Sequence, residues 1–487
     1  MPARNRTDLV RIATESMSGY GLEPEFPRAV ASQLATIDGP DRDADARVQD
    51  LRAMPWCSID NDDSRDLDQL TACELLDGGA CRVFVAVADV DSLVKRGSAI
   101  DEHARFNTTS VYTAARIFPM LPERLSTDLT SLNPGQDRLA VVTQMVIAAD
   151  ATVTQPSVQR ALVRSQAQLA YDAVSAWIEG EGALPPVAAV VPGMDRQLRM
   201  QDEVAQRLRA RRHAEGALEF ETLQPRAVYE GERVVEIRQQ VQNRARQLIE
   251  ELMIATNRVS AHFLTEHGRA SLRRVVRSPE RWARIVDEAR KYGGALPNEP
   301  DSRALERFLA HRRTADPLRF PDLSLVIVKL MGSGEYVVEQ PGEEPVGHFG
   351  LAVRDYSHST APNRRYPDLI TSRLLKAVLA DSAAPYSAAE LEALAAHCSQ
   401  QENAAQKVER KLRKCEAALL LQSHVGQRYD AIVTGVSVGN TWVRTFTPPV
   451  EGRLTRAAPG LEIGQRLQVK LIATDVERGF IDFEALH

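Results

Sequence analysis

The chain has 487 residues, 44% of them apolar, with 60 Lys and Arg against 66 Asp and Glu and a formal net charge of -6. This length can bury several cores and suggests two to four domains; the acidic balance excludes a globally basic nucleic-acid binder but leaves room for a basic channel inside an acidic protein. The five cysteines are odd in number and show no CxxC pairing, which argues against a disulfide framework or a zinc site and suits a reducing cytoplasm.

In chain order, TDLVRIATESM and PRAVASQLATI read as short helices ahead of the charged, turn-rich DGPDRDADAR, so residues 1–50 are expected to form a small helical module, with helix-turn-helix as one arrangement. No continuous apolar segment opens the chain, and the longest apolar run, LSLVIVKLM, is short and carries Lys329. No secretion signal and no membrane span are expected, and the location expected is cytoplasmic. Residues 51–425 mix strands and helices without a regular βαβ period. CRVFVAVADV and LAVVTQMVIA alternate or run apolar like strands, whereas RQLIEELMIATNRVSAHFL places Leu248, Leu252, Thr256, Val259 and Phe263 on one helical stripe. A large α+β domain is the natural reading. Residues 426–487 hold short β-like runs, RYDAIVTGVS, TWVRTF, RLQVKLIATD and GFIDFEAL, separated by turn residues, which suits a five-stranded OB-fold barrel.

The stretch SIDNDDSRDLDQL, residues 58–70, places Asp60, Asp62, Asp63, Asp66 and Asp68 within nine positions. One reading is a solvated acidic turn. An EF-hand calcium loop fails twice, because Arg65 sits where the sharp turn needs Gly and Thr71 where the bidentate Glu belongs. The third reading is a magnesium site for phosphoryl chemistry. Hard divalent cations need carboxylate oxygens, and acids alternating as Asp66-Leu67-Asp68 point the same way in an extended segment. Much later, TAPNRRYPDL pairs two arginines with a tyrosine and an aspartate just before an apolar helix, which suits a phosphate clamp at a helix N-terminus.

Together these two stretches closely resemble the signature segments of the ribonuclease II family, whose catalytic RNB domain runs through I-D-(six residues)-D-L-D and T-S-P-x-R-R-Y-x-D patterns. VFVAVADVDSLVKRGSAID, FPMLPERLSTDLTSL, EGALEF, LIEELMIATN and HFGL fall in family order as well, so the resemblance spans residues 51–425, and the terminal barrel resembles the OB-type RNA-binding domain that usually follows. The resemblance implies processive, hydrolytic 3′-to-5′ degradation of single-stranded RNA with release of nucleoside 5′-monophosphates. It also implies magnesium as cofactor, with manganese a possible substitute. The family's metal-site aspartates match Asp60, Asp66 and Asp68. Arg364 matches the arginine that steadies the scissile phosphate, with Arg365 as its neighbour. Tyr112 matches the aromatic ring at the substrate's 5′ side and Phe220 the one stacking at the 3′ end, although both also suit core aromatics.

Glu250 or Glu251 is similar to a helix glutamate that touches RNA near the family's active site, and Glu409 is comparable; solvated helix charge explains either equally well. The basic runs at 207–213, 269–277 and 407–414 line either an RNA channel or solvated faces. His348 and His358 read as structural, since metal-activated water needs no histidine base. Two departures from the family stand out. The first 50 residues are too short and helical to hold a cold-shock-type domain, and Gln69 stands where many members carry a fourth aspartate, bringing an amide oxygen but no charge. An RNA-binding regulator that keeps the fold without turnover is the competing hypothesis. No protein partner is inferable, and a monomer is expected.

Overall fold

The structure, a computed structural model, describes residues 5–41, 46–221, 224–240, 242–437, 440–456, 460–461 and 463–486; the turn-rich stretch at 38–47 thus lies partly outside the described residues. The strands of the first half are β1 (Gln49–Asp50), β2 (Cys57–Asp60), β3 (Gln69–Leu75), β4 (Cys81–Ala88), the short hairpin β5 (Val111–Tyr112) and β6 (Ile117–Phe118), β7 (Asp137–Ile147), β8 (Val153–Arg164) and β9 (Ala167–Ala170). Seven of them form one sheet in the order β1-β8-β7-β4-β3-β2-β9. The helices are α1 (Arg6–Gly19), α2 (Arg28–Leu34), α3 (Ala99–Asn107), α4 (Tyr171–Ile178), α5 (Pro186–Ala189), α6 (Met194–Ala214), α7 (Arg244–Glu266), α8 (Trp282–Lys291), α9 (Ser302–Ala315), α10 (Phe320–Met331), α11 (Tyr366–Leu379) and α12 (Ala388–Leu421).

The period-2 pattern of the strands builds a three-layer body. Leu70 and Ala72 of β3 and Phe84, Ala86 and Ala88 of β4 share a core with Leu369, Ile370 and Leu374 of α11. Cys73 and Val83, Val85 and Val87, one residue out of phase, share another with α6 and with Leu248, Leu252 and Val259 of α7. Both faces of the sheet are therefore covered by helices, and the expected stripe of α7 is the one that docks, with Phe263 reaching the first core. All five cysteines are free and buried.

Two further two-stranded antiparallel sheets, the hairpin of β10 (Gln224–Glu230) with β11 (Arg233–Gln240) and the pair of β12 (Ser271–Val275) with the distant β13 (Glu335–Glu339), flank this body. At the C-terminus β14 (Arg428–Ser437), β15 (Asn440–Thr445), β16 (Glu451–Arg456), β17 (Arg466–Asp475) and β18 (Phe480–Ala485) close into a barrel in the order β14-β15-β16-β18-β17. Val433, Val443, Leu454, Leu471 and Phe483 fill it. The barrel is tied to α10 by Arg444, which bridges both carboxylate oxygens of Asp322 at 2.7 and 3.2 Å.

The two N-terminal helices do not build a helix-turn-helix unit of their own. Leu9, Ile12, Ala13 and Met17 of α1 bury themselves against α12 and the barrel, whereas Val30 of α2 joins the core of the main sheet. Each helix finds its apolar partner in a different part of the molecule. No helix among the described residues is long and apolar enough to cross a membrane.

Candidate active site

β2 pairs with β3 only at Cys57↔Thr71, so the two strands part beyond it and residues 61–68 fill the gap as a loop. Asp60 is the last residue of β2, and its Oδ1 accepts from the Asn61 amide at 2.7 Å and the Ser64 hydroxyl at 3.0 Å. The loop's far end is held by Ser131, which accepts from the Leu67 amide at 3.0 Å and donates to the Arg65 carbonyl at 2.9 Å. With Leu67 pinned into the core, Asp66 and Asp68 flank it on a fixed backbone. Asp62 and Asp63 are exposed, and Asp63 pairs with Arg226 at 3.1 Å.

The second motif meets this loop directly. Residues 361–365 turn into α11, with Arg365 as the residue before its first turn, Pro367 at the position where a missing amide proton costs nothing, and Asp368 in the first turn. Asp368 is buried, accepting from the Ala361 amide at 2.8 Å and from Arg365 at 2.7 Å, so Arg365 locks the turn shut. The turn then offers Asp68 two donors, the Asn363 amide at 2.9 Å and the Arg364 Nε at 3.2 Å. The Arg364 side chain is 42% exposed, and its two Nη groups make no hydrogen bond among the described residues. Arg364 is thus anchored at Nε and open at its planar end, the geometry for a bidentate contact with a phosphate.

Burial pushes the Asp68 carboxyl up to about 7, helped by the charge of Asp66 and opposed by Arg364 and the Asn363 amide. Burial also raises Asp60, against the hydrogen bonds from Asn61 and Ser64. A buried acid and a half-buried one are thus short of positive charge, a condition a cation relieves. Among the described residues no three acid, imidazole or thiol groups converge as a ready-made ligand cage. Magnesium does not require one, since it binds through one or two carboxylates together with waters and substrate phosphate, and this donor set fits it. Gln69 pairs across the sheet with Val87, on the face that packs against α6 and α7, and its side chain makes no hydrogen bond among the described residues.

Tyr112 stands at the rim, 40% exposed, its hydroxyl donating to Asp66 at 3.0 Å and its amide to Glu409 of α12 at 3.0 Å. Phe220 is placed elsewhere, half-buried against the helices α8, α9 and α10. Glu251 is buried in a two-pronged ion pair with Arg212, at 3.0 and 2.5 Å, which occupies both of its oxygens. Glu250 is the more exposed of the two glutamates and receives a hydrogen bond from Gln242 at 3.0 Å. Desolvation lowers His348 to about 4, and His358, half-buried and hydrogen-bonded with the Tyr336 hydroxyl at 2.7 Å, lies well below the usual imidazole range. Both are neutral packing groups at physiological pH. Sequence reasoning missed Asn363 and Ser131, whose roles run through a backbone amide and a hydroxyl. Both lie inside the family-like segments, but no charge or periodicity marks them.

Residues 48–381 match the RNB domain family, and residues 427–486 match the RNase II-type exonuclease C-terminal S1 domain. Ribonuclease R of Vibrio cholerae is 32% identical over 96% of this chain, and that of Escherichia coli K12 is 31% identical over 95%; the chain spans 60% of the length of each. The RNase R of Mycoplasma genitalium, solved with ribose-methylated single-stranded RNA, superposes with a TM-score of 0.88 at 22% identity, over 98% of this chain and 78% of that one. Yeast Ssd1, a pseudonuclease, shares the fold with a TM-score of 0.72 at 17% identity, over 95% of this chain and 57% of its own. With the RNB domain covering more than half of its length and the five-stranded barrel following it, the chain belongs to the RNB-domain family of ribonuclease II type.

Proposed function

We propose that this chain is a hydrolytic 3′-to-5′ exoribonuclease that degrades single-stranded RNA processively to nucleoside 5′-monophosphates. The observation that carries the reading is the meeting of the two motif segments, where Arg364, fixed through Asp68, keeps its Nη groups open beside Asp60 and Asp66. Asp60, Asp66 and Asp68 would hold magnesium, with manganese as a substitute. When bound, the cation would neutralise charge on the scissile phosphate and acidify the attacking water. Arg364 binds the phosphate and stabilises the charge that develops on it, a contribution typically worth about 3–4 kcal/mol for a preorganised donor. Arg365 acts through Asp368 and holds the turn, so it is a positioning residue. Tyr112 stacks on a base at the rim, a contact worth about 1–3 kcal/mol and indifferent to base identity. His348 and His358, neutral and half-buried, take no part in proton transfer.

The second reading is an RNA-binding regulator without turnover. It is favoured by Gln69 in place of an acid and by the fact that the same fold is found in yeast Ssd1, a pseudonuclease. Incubating the protein with 5′-labelled single-stranded RNA over a magnesium titration separates the two. Stepwise shortening from the 3′ end with mononucleotide release is expected; intact RNA at every metal concentration, with binding retained, would leave the regulator.

A further inference from the structure

The hairpin that carries Tyr112 is too small to hold itself. Each strand has two residues, Val111 pairing with Phe118 and Tyr112 with Ile117, and an isolated two-stranded hairpin is marginal even when longer. Alternation along the strands turns Val111 and Phe118 inward and leaves Tyr112 40% and Ile117 54% exposed. Inside, Val111, Phe118 and Ala115 of the intervening turn share a core with Leu9, Ile12 and Met17 of α1 and with Leu22 just beyond it. Polar bonds come from the same side. The Arg6 Nε donates to the Ala115 carbonyl at 3.1 Å, with its guanidinium 5.1 Å from the Tyr229 ring centroid of β10, and Glu25 pairs with Arg116 at 2.8 Å. The first turn of α1 is itself fixed to the β10–β11 turn, the Arg6 amide donating to the Glu232 carbonyl at 2.9 Å and the Thr7 amide to its carboxylate at 3.1 Å.

The chain leading into the hairpin is held from the same segment. α3 ends at Asn107, and Thr108 follows at φ 58°, a left-handed conformation that a β-branched residue keeps only where its surroundings impose it. Between α1 and α2, the Glu23 amide donates to the Asn107 Oδ1 at 2.8 Å and the Asn107 Nδ2 donates back to the Glu23 carbonyl at 2.8 Å. Asn107 is buried, so this reciprocal pair is shielded from water. Thr108 and Ser110 then bind the turn that carries Arg364. The Thr108 carbonyl accepts from the Tyr366 amide at 2.8 Å, and the Ser110 amide donates to the Arg364 carbonyl at 3.0 Å. Residues 107–116 therefore join the acid cradle to the Tyr112 rim, and residues 6–25 grip them at Asn107, Ala115 and Arg116.

We propose that the N-terminal helical segment is a positioning element for Tyr112, with Arg6 and Glu25 setting how firmly its ring holds the last short fragment of RNA and hence the length of the limit product. The inference rests on the exoribonuclease reading and gives the N-terminal module a part in it. The test uses the full chain and the double variant Arg6→Ala with Glu25→Ala, both at surface positions, so the urea midpoint should stay close to that of the natural protein. Without metal, the dissociation constant for a single strand of about five residues should rise about threefold to tenfold, part of what a lost stacking contact is worth. In magnesium, the limit product should lengthen while the rate on saturating long RNA stays unchanged. Arg6→Lys keeps a donor for the Ala115 carbonyl, and Glu25→Arg with Arg116→Glu restores the pair in reverse, so both should keep the natural affinity. In a Tyr112→Ala background the double variant should weaken the short strand no further, which separates positioning of this ring from general support of the fold. If the natural protein hydrolyses RNA and the double variant keeps its short-strand affinity and limit product, or weakens that affinity equally without Tyr112, the positioning role is wrong and the exoribonuclease reading stands. If the natural protein never hydrolyses RNA but the double variant weakens the short strand only when Tyr112 is present, that reading falls and the positioning role stands.

Discussion

At the N-terminal end of α11, Asp60, Asp66 and Asp68 face a single arginine, Arg364; toward its C-terminal end, Asp89, Asp91 and Asp101 face Arg160, Arg373 and Lys376. In the second cluster every charge has a counterpart. Lys376 lies 2.7 Å from Asp89 and 2.8 Å from Asp91, and Arg373 lies 2.8 Å from Asp91 and 2.7 Å from Asp101. Arg373 also donates to the Tyr386 hydroxyl and the Val94 carbonyl, both at 2.7 Å. For Asp91 burial is outweighed by Lys376 and Arg373, which hold its carboxyl below the usual range, whereas Asp60 and Asp68 sit above it. The same residue types, gathered around the two ends of one helix, thus make a closed strut at one end and an open, charge-deficient cradle at the other. Residue type alone does not distinguish the two; the balance of pairing does.

The largest contrast should come from the two arginines. Arg373→Ala leaves buried acids unpaired and should destabilise the fold by about 3–5 kcal/mol, read in urea titration. Arg364→Ala should leave the urea midpoint almost unchanged and lower kcat by about 10²–10³-fold. An Arg364 variant that unfolds early, or an Arg373 variant that is stable but inactive, would reverse the roles given to the two ends.

The acids should differ in sign. In buffer with a metal chelator, the Asp68 carboxyl, raised from 3.8 to about 7, favours the folded state below about pH 4 and loses that contribution as pH rises to about 7. Asp68→Asn should therefore stabilise the chelated protein at pH 8, by up to about 4 kcal/mol at 1.36 kcal/mol per pKa unit. Asp91, held low, contributes above the usual carboxylate range and loses that contribution in acid, so Asp91→Asn should destabilise at pH 8 and converge with the natural protein near pH 3. Melting curves across this range that shift the same way for both variants would break the distinction.

At the rim the effect is smaller. Tyr112→Ala removes a stacking face worth about 1–3 kcal/mol and should lengthen the limit product while leaving the initial rate on long RNA nearly unchanged; an unaltered product ladder on a gel would return Tyr112 to a packing role. The smallest effect is expected of Gln69→Asp. The added charge should shift the magnesium dependence only a few-fold lower, because strand register sets position 69 on the side of Val87. Identical titration curves would put Gln69 outside the metal environment.

Much of the framework was legible in the sequence because it rests on local periodicity. The alternation of CRVFVAVADV and the stripe of α7 are single-segment signals, and they became the sheet and the helix that cover the cradle. What the sequence hid lies in partners far apart in the chain. Arg212 and Arg274 sit in basic runs that read like channel linings, yet their acids, Glu251 and Glu402, lie 39 and 128 residues away. Phe220 gives no local sign that α8, α9 and α10 will fold over it, and nothing near Tyr112 announces a hydrogen bond to Asp66, 46 residues earlier.

The central claim is that the unbalanced end of α11 is a reaction centre for RNA, and Asp68→Asn tests it most directly. The measurement pairs the dissociation constant for single-stranded RNA with the single-turnover rate of mononucleotide release in magnesium. Binding rests on phosphates and stacked bases while the chemistry rests on the charge of the cradle, so the variant should bind within about threefold of the natural protein and lose at least about 10²–10³-fold in rate. Release of mononucleotides at the natural rate, with affinity unchanged, would contradict the account.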